Sequence, residues 1–486
     1  MYVALNLDFR VTKNDKYVIL IGKREVLLQK TKKRTGDKLR LLRLAGKHQE
    51  NLHCTQSSKH GYGLRRVALL LIACLTVTAA GSFAFAAASE GKAAGNAEAL
   101  PPAGSAETVE PKAEPAGTAA ARTQSTDKSA AADSEADSNT PAEEPERVTV
   151  MLTGDLMCQP KQQEAAFDGS SYDFKPTFKY VKAIFDEADI VIGNLETLVS
   201  STLPLSKDMN RLQNKPYLNA PEEFLDALEY AGFDAFIMAN NHDCDGGEIG
   251  IVETLNELDS RSIPHTGLFR SKDDKRYFII EQNGIKLGVL SYAAYFNLKD
   301  KFLSGEKQKF MLNRPIQSQM DADVRALKKE GADYIIAYNH CGTEYSQVPA
   351  ARQERYGIML AKAGVDYIVG SHPHVLQPYE PLMFGDGEVP YIYSMGNFSS
   401  AMLSPITKET IVLSLTLERN ENGEVELAEQ SYYPCYMLDE CDNEPFVLIP
   451  ESEEYAPDFY ENATAKLIKQ LEKNFKHIRK IVGTLK

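Results

Sequence analysis

The feature that most constrains the fold is an alternation of short apolar runs with helix-like segments in the last two-thirds of the chain. Val148–Leu152 and Asp189–Ile192 have the pattern of buried strands, and Phe178–Ala188 between them has helical spacing. The unit continues with a helix at Pro221–Ala231 and a strand at Asp234–Met238. Such alternation is typical of an α/β protein with helices on the faces of a sheet.

The pattern changes towards the carboxyl end of the chain. Gln282-Asn283-Gly284 joins two strand-like runs and predicts a hairpin. Tyr391–Ser394, Thr410–Glu418 and Glu424–Tyr432 predict antiparallel strands, and Asn462–Val482 predicts a basic amphipathic helix on the outside. Alternating units followed by a meander favour a mixed sheet system flanked by helices.

Each of five apolar runs ends in residues that are able to bind a divalent metal. Ligands gather at the carboxyl ends of strands in α/β proteins, and most of these ends also carry a glycine that admits close backbone approach. Taken singly, Asp155 fits a turn or helix cap equally well, and His340 fits a hydrogen-bonded core histidine. Taken together, the ends predict a metal site. The candidate ligands are Asp155, Glu196, Asn241, His340, His372 and His374.

Charge is distributed unevenly along the chain. The net charge is -14, yet the first 66 residues hold 16 Lys and Arg against 5 Asp and Glu. The remainder is therefore strongly acidic. Because neutralising phosphates requires a basic face, this composition argues against a nucleic-acid partner.

The first 146 residues predict an export or anchoring arrangement. Residues 1–66 are either a basic cytoplasmic tail or an extension from an upstream start. Residues 67–88 carry no charge and follow two arginines, which predicts a transmembrane anchor or a signal peptide, with everything after it outside the cell. Residues 89–146, rich in Ala, Pro, Glu and Ser, predict a disordered tether, and residues 147–486 form the folded domain.

The seven cysteines fit no regular disulfide framework. Cys435 and Cys441 are placed to form a small loop disulfide, or to remain free thiols. Cys158, Cys244 and Cys341 stand beside candidate ligands and are interpreted as small residues, because thiolates do not suit an oxygen-rich ligand set.

The order of the polar blocks resembles the calcineurin-like metallophosphoesterase superfamily, and within it the CapA family of poly-gamma-glutamate capsule biosynthesis. The resemblance covers residues 148 to about 400. The blocks that carry it are Gly154-Asp155-Leu156-Met157, Asn194-Leu195-Glu196, Ala239-Asn240-Asn241-His242, His340-Cys341-Gly342-Thr343-Glu344-Tyr345, Gly370-Ser371-His372-Pro373-His374 and Tyr393-Ser394-Met395-Gly396-Asn397-Phe398.

The resemblance implies a four-layer α/β/β/α sandwich with a metal centre between the sheets. The six candidate ligands would then hold one or two divalent ions such as Mn, Fe or Zn. His242 and Asp155 become the catalytic residues, with His242 donating a proton or stabilising charge. Glu344 and Asn397 become substrate contacts. Met157 departs from the pattern, because it stands where phosphoesterases have a histidine, and the second block has Asn194 and Glu196 in place of Gly-Asp.

Two functions follow from the resemblance. The first is a metal-dependent hydrolase outside the membrane, acting on a phosphoester or on a bond of a glutamate polymer. The second is a non-catalytic component that binds or guides anionic polymer in a capsule export complex. Both interpretations expect membrane attachment or signal processing, an anionic polymer or small phosphoester as ligand, and possible membrane partners in capsule synthesis or export.

Overall fold

The structure is a computed structural model that describes residues 7–12, 16–21, 24–33, 36–44, 146–213, 216–385 and 387–485. The chain divides into two compact units, residues 1–132 and residues 133–486. The predicted membrane segment at 67–88 lies outside the described residues, as does the predicted tether except for Glu146. Among the helices of the described ranges, none has the length and apolar character needed to cross a membrane.

The first unit contains a four-stranded antiparallel sheet in which neighbours along the chain pair with one another. Its strands are β1 (Leu7–Thr12), β2 (Lys16–Ile21), β3 (Arg24–Lys33) and β4 (Gly36–Leu44).

The second unit contains two large sheets and two short strand pairs. Its strands are β5 (Arg147–Leu156), β6 (Ile190–Leu195), β7 (Leu198–Val199), β8 (Asn219–Ala220), β9 (Ala235–Ile237), β10 (His265–Thr266), β11 (Phe278–Gln282), β12 (Ile285–Ala293), β13 (Tyr334–His340), β14 (Tyr367–Ser371), β15 (Leu376–Tyr379), β16 (Leu382–Phe384), β17 (Gly387–Val389), β18 (Tyr391–Met395), β19 (Asn397–Ser399), β20 (Glu409–Arg419), β21 (Val425–Cys441) and β22 (Glu444–Pro450).

Helices connect and flank these strands. They are α1 (Pro160–Ala166), α2 (Lys175–Phe178), α3 (Val181–Phe185), α4 (Ser206–Gln213), α5 (Glu223–Ala231), α6 (Gly247–Ser260), α7 (Gly305–Met311), α8 (Gln317–Lys329), α9 (Ala351–Ala363), α10 (Pro457–Asn462) and α11 (Ala465–Val482), with single 3₁₀ turns at Asp300–Phe302 and Pro405–Thr407.

The two large sheets face each other. One has the order β10-β9-β6-β5-β20-β21-β22, with β19 also paired to β5, and the other has the order β11-β12-β13-β14-β18-β15. Apolar residues from both sheets form one buried cluster, which includes Val150 and Ile192 from the first sheet and Val289 and Ile336 from the second. The core between the sheets therefore holds them together through burial of apolar surface.

Helices cover the outer faces of both sheets. Met151 and Val191 on the outer face of the first sheet pack with helical residues such as Leu228, and α8 and α9 pack on the second sheet through a cluster that contains Leu327. The described domain is thus a mixed α/β fold in four layers, with helices outside and the two sheets inside.

Several predicted elements are confirmed, including the strand after Arg147 and the hairpin, where Asn283 and Gly284 both have positive φ. The predicted helix at 178–188 is instead two short helices, α2 and α3. The break between them turns Tyr180 towards the core between the sheets, whereas Val181 packs under the outer helices.

The antiparallel pairing predicted for residues 391–394 is met on one side only, and of the two alternatives for Cys435 and Cys441 the free thiols are confirmed. Strand β18 pairs antiparallel to β15 but parallel to β14, because the excursion through β15–β17 returns the chain in the direction of β14. Cys435 and Cys441 are both free and buried on the single strand β21. At ~3.3 Å per residue, six residues of strand place their Cα atoms about 20 Å apart, far beyond the reach of a disulfide.

Candidate metal centre

The candidate ligands come from strand ends that the sheet topology brings together. On β5, Asp155 pairs in register with Asn194 of β6 on one side and with Asn397 of β19 on the other. In the second sheet, His340 at the end of β13 pairs with Ser371 at the end of β14. Parallel strands end at the same edge, so each sheet presents its polar residues at one place.

Two glycines make this arrangement possible. A Cβ on Gly154 would lie 2.0 Å from the Gly396 carbonyl oxygen, and a Cβ on Gly370 would lie 1.9 Å from the Tyr393 carbonyl oxygen. The Asp155 amide donates a hydrogen bond to Gly396 O over 3.0 Å. Close backbone contact therefore fixes the strand ends immediately before Asp155 and before the histidine loop.

The loop that carries the two neighbouring histidines has an unusual backbone. His372 has φ 96° and His374 has φ 58°, both in the left-handed region that side chains other than glycine seldom adopt. Such conformations cost about 1–3 kcal/mol each and are concentrated at functional sites. The Pro373 carbonyl accepts a hydrogen bond from the Tyr345 amide over 2.8 Å, which helps hold the loop.

Three ionisable side chains lie close enough together to hold an ion. Ligand atoms of Asp155, Glu196 and His374 all fall within 4.8 Å of one another, and the three residues are buried. His374 Nδ1 is 3.4 Å from Asp155 Oδ2, and His374 Nε2 is 3.9 Å from Glu196 Oε1. Two carboxylates and an imidazole form a donor set that suits a borderline divalent cation.

The other three predicted ligands surround this group. His340 Nε2 lies 3.8 Å from Glu196 Oε1 and 2.9 Å from Asn241 Oδ1. The His372 ring centroid is 4.9 Å from that of His340 and 6.0 Å from that of His374. The structure therefore gathers all six predicted ligands, although metal binding by each of them stays a prediction.

Neighbouring polar side chains orient these ligands. Asn194 Nδ2 donates to Asp155 Oδ1 over 2.7 Å, and His340 Nδ1 lies 2.8 Å from Ser371 Oγ. The N–H at Nδ1 of His374 donates to Asn397 Oδ1 over 2.9 Å, which leaves the lone pair of Nε2 free to bind a cation.

Neighbouring charges and hydrogen bonds separate the protonation behaviour of the two buried carboxyl groups. Burial would by itself raise the pKa of Asp155, but the hydrogen bond from His374 and the charges of His340 and His374 lower it to about 2. Burial and the negative charge of Asp155 raise the pKa of Glu196 well above its usual value. Glu196 is therefore the carboxyl group that most requires a nearby positive charge.

The imidazoles differ in the same way. Burial lowers the pKa of His340 and, acting with the charge of His374, lowers that of His372 to about 3. Burial also opposes charge on His374, but its hydrogen bond to Asp155 outweighs this effect and raises the pKa. Neutral imidazoles such as His340 and His372 are the form that binds metals.

Unpaired buried atoms test whether a cation fits the site. Among the described residues, both carboxylate oxygens of Glu196, the Asn194 side-chain oxygen and His372 Nδ1 are buried and have no hydrogen-bond partner. Buried polar atoms nearly always have hydrogen-bond partners. The three oxygens carry lone pairs, and His372 Nδ1 carries one when it is not protonated. A divalent cation beside Asp155 and His374 would give the Glu196 oxygens a partner, so the residues present fit the implied metal.

His242 follows the predicted ligand Asn241 in the chain, and Asp245 fixes the orientation of its ring. Its Nδ1 is 2.7 Å from Asp245 Oδ2, and Asp245 Oδ1 accepts a hydrogen bond from Lys299 Nζ over 2.6 Å. His242 is also near enough for its charge to influence His340 and His372. Because Nδ1 is engaged by Asp245, Nε2 is the nitrogen available to exchange a proton.

The two predicted substrate contacts occupy different environments. Glu344 is exposed on the loop after β13, and its charge reaches Glu196 and His374. Asn397 is 1 % exposed and bonds to His374, and its Nδ2 donates to the Thr407 carbonyl oxygen over 3.1 Å. Asn397 therefore orients the predicted metal ligand His374. Substrate contact by Glu344 or by Asn397 stays a prediction.

Sequence reasoning missed some contributors to the site. Asp245 has one usable signal, its spacing of three residues from His242, whereas Lys299 comes from an irregular segment without a motif. Met157, at the position of the missing histidine, is buried at 2 % exposure. A groove of about 530 Å³ beside Tyr345 is lined by Lys161, Met402 and Leu403 among others, and it adjoins the centre because Tyr345 and His374 have ring centroids 6.1 Å apart.

Comparison with known proteins places the chain among capsule synthesis proteins. The capsule biosynthesis protein CapA of Bacillus anthracis is 28 % identical over 278 residues, which cover 57 % of this chain and 66 % of that protein. The PGA biosynthesis protein CapA of Bacillus subtilis (strain 168) is 29 % identical over 252 residues, 51 % of this chain and 63 % of that protein. The match thus spans slightly less than two-thirds of either relative.

Among solved structures, the calcineurin-like phosphoesterase YfkN from Bacillus subtilis aligns over 69 % of this chain and 100 % of that chain, with 15 % identity and a TM-score of 0.40. The sequence profile described as "Bacterial capsule synthesis protein PGA_cap" matches residues 149–402, a stretch that contains every candidate ligand. This profile covers more than half of the chain. Together with the two relatives, it confirms the resemblance to CapA proteins. The chain belongs to the bacterial capsule synthesis protein family PGA_cap.

Proposed function

We propose that this protein is a metal-dependent hydrolase of capsule biosynthesis, cleaving a phosphoester or a bond of a glutamate polymer. The observation that carries the proposal is Glu196, whose two carboxylate oxygens are fully buried, accept no hydrogen bond from a donor in the part of the chain that the structure describes, and lie beside Asp155 and His374. A protein that used Glu196 only for structure would supply donors for those oxygens.

The metal is held, in this proposal, by Asp155, Glu196 and His374, with Asn241, His340 and His372 completing the set. One or two ions of Mn, Fe or Zn suit these mixed oxygen and imidazole donors. The chemistry that such a cation supplies when bound is Lewis acidity towards water and towards a substrate oxygen.

The protein groups contribute orientation and a proton. Asn194 and Asn397 hold Asp155 and His374 in place through the hydrogen bonds described above. Hydrolysis adds water to phosphorus or to a carbonyl carbon, breaks the bond to the leaving oxygen or nitrogen, and requires a proton on the leaving group. His242 is the proton donor in this scheme, and Asp245 orients its ring.

The proposal extends to place and partners. We expect the folded domain to work outside the cell membrane, attached by an anchor or released after signal processing, on an anionic polymer or small phosphoester and alongside capsule synthesis or export proteins. The charge pattern of the first 88 residues supports this placement.

A direct test uses the full chain loaded separately with Mn, Fe and Zn. Hydrolysis of a phosphodiester or of poly-gamma-glutamate should require the metal and should be lost in His372→Ala, whereas His265→Ala, which changes a histidine outside the centre, should retain it. Equal turnover in chelator-treated and metal-loaded protein would refute the proposal.

The alternative is a non-catalytic component that binds capsule polymer. Met157 favours it, since a buried thioether replaces an imidazole donor at that position. Metal-loaded protein that binds polymer without turning over any member of a phosphoester and polyglutamate panel would establish this alternative in place of the hydrolase.

A further inference from the structure

We propose that Arg352 forms a subsite for an oxyanion of the substrate at the mouth of the metal centre. The inference rests on the proposed function in one respect, because it takes the bound oxyanion to be part of a substrate. Its test measures binding and does not require catalysis. The ligand group is a carboxylate or a phosphate, and the experiment below distinguishes the two.

Two ring contacts in series place Arg352 beside the centre. The Arg352 guanidinium carbon lies 5.0 Å from the centroid of the Tyr295 ring. The Tyr295 centroid in turn lies 5.1 Å from that of His372, a predicted metal ligand. Tyr295 therefore contacts both the arginine and a predicted metal ligand.

The elements that carry this stack are fixed by buried contacts. Gln353, next to Arg352 in the first turn of α9, is fully buried, and its Nε2 donates to Gln377 Oε1 over 2.7 Å and to the Tyr393 carbonyl oxygen over 2.9 Å. The Tyr295 hydroxyl donates to the Gly342 carbonyl oxygen over 3.3 Å. Both the arginine backbone and the ring beneath it are thus positioned before any ligand arrives.

The charge of Arg352 is not neutralised by the protein that surrounds it. Arg352 is exposed, and within the described ranges no carboxylate lies within ion-pair distance of it. Arg261 and Arg419, by contrast, each contact more than one acidic group. Burial is the main reason for the low pKa of His372, and the charge of Arg352 is near enough to lower it further.

A guanidinium in this state is suited to bind an oxyanion. Its planar donors match the two oxygens of a carboxylate or phosphate, and stacking on Tyr295 restricts its orientation so that less freedom is lost on binding. The protein as a whole is acidic, with a net charge of -14, so an unpaired cation at the mouth also creates a local field that attracts anions.

Arg355 provides a matched control on the same helix. It is also exposed, and its guanidinium carbon lies 5.0 Å from the Tyr356 centroid, but no ring contact joins Tyr356 to the described ligands. Arg352→Gln and Arg355→Gln therefore remove the same charge and the same type of aromatic contact, and only the ring under Arg352 also contacts His372.

The test measures binding of orthophosphate and of glutarate to the Mn-loaded full chain by calorimetry. We expect Arg352→Gln to weaken binding of at least one probe about 10- to 100-fold, the range of charge-assisted hydrogen bonds. Arg355→Gln should leave affinity unchanged, Arg352→Lys should fall between, and metal content should be equal in all variants. The probe that responds identifies the ligand as phosphate or carboxylate.

Unchanged affinity in Arg352→Gln, an equal loss in Arg355→Gln, or no binding of either probe to the wild-type chain would overturn the subsite. Absence of hydrolysis together with the expected binding pattern would overturn the proposed function and leave the subsite standing.

Discussion

Two buried carboxyl groups in this domain show how a structural acid differs from a candidate metal ligand. Asp323, on α8, is 4 % exposed and accepts hydrogen bonds from the Tyr292 hydroxyl over 2.8 Å and from Gln319 Nε2 over 2.7 Å. Glu196 is fully buried, and neither of its oxygens accepts a hydrogen bond from any described residue. The described residues supply hydrogen-bond donors to Asp323 and none to Glu196.

Electrostatics follows the same division. Burial raises the pKa of Asp323, and the hydrogen bonds from Tyr292 and Gln319 oppose that rise. For Glu196, burial raises the pKa and the negative charge of Asp155 raises it further. Among the described residues the protein supplies hydrogen-bond donors to Asp323 and none to Glu196, and a cation is the partner that the proposed metal centre would add.

The largest expected effect is the difference between a substitution in the metal centre and one at the structural acid Asp323. Asp155→Ala should abolish metal binding and hydrolysis, because it removes a ligand that touches Asn194 and His374 in the centre. Asp323→Asn should retain both properties. Metal content by mass spectrometry and turnover of the metal-loaded full chains measure the difference, and metal loss in both variants would erase the distinction.

Metal removal should come next in size. A ligand present at 100 times its dissociation constant stabilises the folded state by about 2.7 kcal/mol. We expect chelation to lower the free energy of unfolding by about this amount in wild type and in Asp323→Asn, and to leave Asp155→Ala unchanged. Thermal unfolding with and without metal gives the comparison, and an equal shift in all three chains would contradict it.

Amide substitutions should have opposite effects in the metal-free chain. Glu196→Gln removes a buried acid that lacks donors and should raise unfolding free energy by about 1 kcal/mol. Asp323→Asn places an amide nitrogen against the Tyr292 or Gln319 donor and should lower it by about 1–3 kcal/mol. Denaturant unfolding of the two variants provides the values. Changes of the same sign would show that the two acids are not different in kind.

The smallest expected effect concerns the residue behind His242. Asp245→Asn should lower kcat about tenfold without changing metal content, since partners that orient a functional imidazole contribute roughly 10- to 100-fold. The loss is expected because Asp245 contacts His242 Nδ1 and orients its ring. A variant with unchanged kcat would remove Asp245 from the mechanism.

Much of this centre was predictable because strand ends are visible in sequence. Apolar runs followed by Asp155 and by His372 mark both the sheets and the edge where ligands meet. The oxygen and imidazole types, read in order, also pointed to the correct family.

The remainder depended on tertiary contacts that carry no local signal. Whether Glu196 or Asp323 would find donors was decided by side chains from distant segments, such as Tyr292. The break at Tyr180 and the parallel pairing of β18 arose from packing between layers and from chain return, which periodicity does not report. Arg352 became visible only through the rings beneath it.

The most direct test of the central claim is the metal content of the full chain after loading with Mn, Fe or Zn and dialysis, measured for wild type, Glu196→Gln and Asp323→Asn. The account predicts at least one bound ion per chain in wild type and in Asp323→Asn, with loss of that ion in Glu196→Gln. Wild-type protein that retains none of the three metals, or Glu196→Gln that retains as much as wild type, would contradict it.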